Sequence, residues 1–103
     1  MNEERYAIIG TINYGLYAGI VDSIQPDPGT STMTVTVRQC RHIPRWFGRT
    51  GGITSLAVYG ICGPRAGESR IGAPAPQSTI SGVRAIHDCT PEARATLEAT
   101  VQR

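Results

Sequence analysis

The sequence predicts a small α+β domain: an antiparallel β-sheet with one short internal helix and a C-terminal helix. Three observations carry this. Met33, Val35 and Val37 alternate with Thr34, Thr36 and Arg38, which is the period of a strand with one buried face. Ile53, Leu56 and Ala57 recur at helical spacing before Gly60. Thr90-Pro91-Glu92 combines an N-cap residue, a proline suited to the first helical position and an acid that complements the helix dipole.

Taken in order, Tyr6 to Ile12 is apolar and β-prone, and Leu16 to Ile24 repeats the signal after Gly15, so two short strands are expected. Gln25 to Thr30, Gln-Pro-Asp-Pro-Gly-Thr, is a turn by composition, because the prolines restrict φ and Gly29 admits positive φ. The alternating strand Thr32 to Cys40 follows as a hairpin partner of the second strand. A basic-aromatic segment leads to Gly51-Gly52 and a helix of about two turns ending at Gly60. Ile61 to Gln77, rich in Gly and Pro, reads as an irregular loop with at most a brief edge strand at Arg70 to Ala73. Thr79 to Cys89 is again a strand, with Ile80, Val83 and Ile86 as its apolar members and a bulge at Gly82. The closing helix presents Ala93, Leu97 and Val101 on one face. The order is β-β-β-α-loop-β-α in a single domain spanning residues 1–103, with no internal repeat or linker.

With 103 residues and 40% hydrophobic composition, the chain can build one modest core. One Trp, four Tyr and one Phe are a thin aromatic supply for it. That scarcity, and the apolar face of the last helix, predict a homo-oligomer. No apolar run approaches the roughly 18 residues of a membrane span, and Met-Asn-Glu-Glu-Arg is too acidic for a signal peptide. Cys40, Cys62 and Cys89 are odd in number and lack CxxC spacing, which fits reduced thiols in a cytoplasm.

Function is expected between Arg38 and Arg49, where twelve residues hold four of ten arginines, the only Trp and the only Phe. No acid occurs between Asp27 and Glu68, so Arg38, Arg41, Arg45, Arg49 and Arg65 lack a neutralising neighbour in sequence. Guanidinium forks match phosphate and carboxylate, and aromatic faces stack on bases or on arginine. The expected site therefore has Arg41, Arg45 and Arg49 on phosphate, Trp46 stacking or supporting, and Gly51 and Gly52 offering backbone amides at a helix start. The competing reading makes Trp46 and Phe47 core anchors with solvated arginines around them. A net charge of +2 suits a localised anionic ligand and disfavours duplex nucleic acid.

Two other constellations are weaker. Cys40 with His42 and His87 with Cys89 are i, i+2 pairs that would make a zinc site if their strands met, but the spacings fall outside the usual zinc-binding set, so no metal is expected. No nucleophile elbow, no His-Glu-x-x-His and no pair of catalytic carboxylates is present, so neither catalysis nor a cofactor is expected.

Arg41-His42-Ile43-x-x-Trp46-x-Gly48, Leu56-Ala57-x-x-Gly60, Ile80 through Ile86 and Asp88-Cys89-Thr90 resemble a family of small, poorly characterised proteins encoded by tailed bacteriophages. The resemblance runs from Tyr14 to Leu97. Pro44 and Arg45 stand where that family has aromatics, Cys40 replaces alanine and His42 replaces arginine, which argues against a shared metal site. The resemblance implies a phage protein acting in the host bacterial cytoplasm. By analogy this is a counter-defence protein that sequesters a nucleotide-like immune signal. The alternatives are a virion component, such as a capsid decoration or tail protein, and a regulator that binds a host protein or nucleic acid.

Overall fold

The chain runs β1 (Tyr6–Thr11), β2 (Leu16–Pro26), β3 (Met33–Ile43), α1 (Ile53–Tyr59), a 3-10 turn (Ala66–Glu68), β4 (Ala75–Asp88) and α2 (Pro91–Ala99), the order expected from the sequence. This is a computed structural model, and it describes residues 4–12, 15–48 and 52–100.

All strand pairings are antiparallel, and they close. β1 pairs with both β2 and β4, and β3 also pairs with both, so the sheet is a four-stranded barrel. Closure leaves no strand without two neighbours somewhere along its length, which protects the edges from pairing with other chains. Sharp local bends make so small a barrel possible. On β3, Gln39 has φ of 51° and is an extra residue opposite Gly19 of β2. This bulge resets the alternation, so that Val35, Val37 and Cys40 share one apolar cluster. Gly19 is required at the bend, because a Cβ there would come within 2.8 Å of the Arg38 carbonyl oxygen. A second bend falls around Gly82, with φ of 69°: β4 slips against β3 between Ile80 and Val83, and against β1 between Val83 and Ala85.

Two apolar clusters form on opposite faces of the strands. Ile9, Val35, Val37, Cys40, Ile80 and Val83 make one. Tyr6, Ile8, Ala18, Ile20 and Ile43 make the other, together with Leu56 and Ala57 of α1 and Leu97 of α2. β1 contributes to both, which explains its uninterrupted burial from Tyr6 to Gly10.

Two expectations are corrected here. β4 starts four residues before Thr79, despite Pro76, because at that end it pairs only with β3 and the missing proline N–H faces no second strand. The apolar face of α2 is not offered to another subunit: Ala93 and Leu97 are fully buried against the rest of the chain, and Val101 lies outside the described residues. Neither Ala93 nor Leu97 is therefore open to a second subunit.

Candidate functional site

The basic-aromatic segment leaves β3 and runs along the loop between α1 and β4. Three hydrogen bonds fasten it there: Phe47 N donates to the Ser69 hydroxyl at 3.0 Å, Arg70 N donates to the Arg45 carbonyl at 2.7 Å, and Cys62 N donates to the Phe47 carbonyl at 3.3 Å. Ser69 is itself buried, so Phe47 is anchored from beneath. Trp46 is half-buried against the helix-side core, which makes it a support for the segment.

This seating gathers residues far apart in sequence around the Phe47 ring. The Arg65 guanidinium carbon lies 4.1 Å from the ring centroid and that of Arg45 lies 5.1 Å away. Arg45 and Arg70 face each other across an isolated antiparallel bridge, an arrangement that sends their side chains out on one face. Arg65 forms a two-point ion pair with Glu68, at 2.8 and 3.0 Å. Hydrogen bonding from Arg65, and the nearby charge of Arg45, hold the Glu68 carboxyl below its ordinary value. Arg65 and Arg45 thus act on one carboxylate, and Arg45 and Arg70 have no ion-pair partner among the described residues.

The structure divides the expected ligand residues. Arg41 is only 7% exposed, and all of its reach is used inside the chain. Its Nε donates to the Gly72 carbonyl at 2.7 Å, Nη1 to Leu97 at 2.9 Å and Nη2 to Thr100 at 2.9 Å. It closes the C-terminal end of α2, where the negative end of the dipole lies, bonding the Thr100 carbonyl and joining the Thr100 N–H on the Leu97 carbonyl. We therefore remove it from the ligand set. Gly52 begins α1, but that helix has seven residues, too few for a strong dipole, so the amide argument loses its basis. Arg49 and Gly51 lie outside the described residues. Arg65 was visible in the acid-free run. Arg70 and Glu68 carried no local signal and join only through the loop.

Residues 4–97 match the family described as a domain of unknown function, DUF6948. The chain belongs to that family. No curated protein and no solved structure matches this DUF6948 chain.

The Cys/His pairs of this DUF6948 domain are not brought together. Cys40 is paired with Ala75, whereas His87 is opposite Ile8 at the other end of β4. His42 faces outward, its ring 5.0 Å from that of Tyr17. Among the described residues, no three His, Cys, Asp or Glu side chains are grouped to hold a metal, and no helix is long and apolar enough to cross a membrane.

Proposed function

We propose that this protein is a non-enzymatic binding module for an anionic, nucleotide-like ligand, held by Arg45, Arg65 and Arg70 around Phe47, with Trp46 supporting the segment from below. The observation that carries this reading is the convergence of two guanidiniums, of Arg45 and Arg65, on one aromatic ring, with Arg70 bridged beside Arg45 and a single carboxylate paired with Arg65. An excess of forked donors on an exposed face suits phosphate, and exposed guanidinium planes can stack on a base. The resemblance to small tailed-phage proteins supplies the biological form of the proposal: a host immune signal sequestered during infection.

Calorimetric titration with cyclic dinucleotides and ADP-ribose tests it. Arg45→Ala and Arg70→Ala should each weaken binding about tenfold while leaving the melting temperature in place, because both side chains are exposed. Absence of binding by the unaltered protein below about 100 μM, an affinity of about 5.5 kcal/mol, would overturn this reading in favour of a virion component.

A further inference from the structure

The arginine cluster carries its own oxyanion. Glu68 ends the 3-10 turn Ala66–Glu68, and its two oxygens accept from Nε and Nη2 of Arg65 at 2.8 and 3.0 Å. This is the fork by which a guanidinium grips a phosphate or a free carboxylate. Arg65 is meanwhile held over the Phe47 ring, so its fork stays in place whether or not Glu68 occupies it. The pair is exposed, 57% for Arg65 and 52% for Glu68, and Glu68 has no other side-chain partner among the described residues. Exposed pairs of this kind are weakly held and open readily.

We propose that Glu68 is an internal competitor, its carboxylate occupying the position on the Arg65 fork that the ligand's oxyanion takes, so that the ligand binds by displacing it. The inference rests on the anion-binding reading above and adds a selection rule to it. Exchanging one carboxylate for another gains no charge, whereas a phosphate group brings more negative charge to Arg65 and to the unpaired Arg45 and Arg70. Displacement therefore selects phosphates over carboxylates.

Inorganic pyrophosphate and succinate, titrated by calorimetry into the full chain, separate the two sources of oxyanion. The unaltered protein should bind pyrophosphate and take up succinate far more weakly. Glu68→Gln should bind pyrophosphate about two- to fivefold more tightly, the range set by an exposed ion pair. Glu92→Gln removes the same charge from an exposed position on α2 and should change nothing. Equal or weaker binding by Glu68→Gln, an equal gain from Glu92→Gln, or succinate binding as strong as pyrophosphate would each overturn the competitor. Failure of both the unaltered protein and Glu68→Gln to bind would instead overturn the anion-binding reading beneath it. In the unaltered protein the Arg65 Nε–H resonance should shift on adding pyrophosphate, and a bound state in which it stays fixed also overturns the displacement.

Discussion

Arg41 and Arg45 are four residues apart and have opposite fates. Arg41 pairs with Ala18 in the β2–β3 ladder and turns toward the helices, where three carbonyls take its donors. Arg41→Ala would leave those carbonyls without their partner and should cost about 3 kcal/mol in urea unfolding, with no specific effect on ligand affinity once folded protein is compared. Arg41→Lys should recover only part of the loss, since one ammonium cannot span three acceptors arranged for a planar fork. Burial raises three acids and so sets the alkaline limit: the Cys40 thiol, the Tyr6 hydroxyl and the partly buried Cys89 thiol. Burial, and then the charge of Glu98, push the Tyr6 hydroxyl up to about 12 from an ordinary 10.0. Burial, and then Asp88, push the Cys89 thiol up to about 11 from 9.0. In each case the unfolded chain releases its proton first, so stability is full below the unfolded values and falls as pH rises from about 9 toward the folded ones. Urea midpoints between pH 8 and 11 should show this decline, and Cys89→Ala should make it shallower without removing it, because burial raises the Cys40 thiol as well.

At the scale of elements, the two helices are joined through one threonine and one glycine. Thr90 Oγ1 accepts from Ala93 N at 3.1 Å as the cap of α2 and donates to the Val58 carbonyl at 2.6 Å, while Thr90 N donates to the Ala57 carbonyl at 3.0 Å. Thr90→Ala should therefore cost about 1 to 2 kcal/mol, at the upper end for an N-cap, because it loosens α1 as well. Gly60 ends α1 with φ of 72°, and a Cβ there would meet Thr96 Oγ1 and come within 2.9 Å of Ala93 Cα. Gly60→Ala should destabilise by about 2 kcal/mol or more, both from backbone strain and because α2 must move away. Thermal unfolding of the two variants checks both values. Thr90-Pro91-Glu92 and the cap at Gly60 were readable because capping is a property of a few neighbouring residues. The start of β4 was not, since Pro74 and Pro76 carry a loop signal that only pairing with β3 overrides.

For the whole molecule, closure of the barrel and burial of the α2 face remove the surface that argued for assembly. Light scattering at micromolar concentration should give the mass of a single 11.0 kDa chain. A stable dimer would show that a different surface mediates contact. The remaining exposed large apolar residues are Ile12, Ile24, Val58 and Tyr59 among the described residues, isolated or in an adjacent pair, as on ordinary monomers.

The sequence by itself determined the order and type of the elements, the turn after β2, the bulge at Gly82 and the caps of both helices. Each of these is written within a few residues, as a period of two or of 3.6, a proline, or a glycine at positive φ. Only the tertiary structure decided that the sheet closes, that Arg41 serves α2 across 59 positions to Thr100, that Arg65 with its partner Glu68 joins Arg45 at Phe47, and that Arg70 is bridged to Arg45. Those outcomes depend on contacts between distant segments, where the direction in which an arginine points is set by the register of its strand and the loop fastened against it. An arginine closing a helix end and an arginine left exposed over an aromatic ring have the same side chain and, in this chain, nearly the same address.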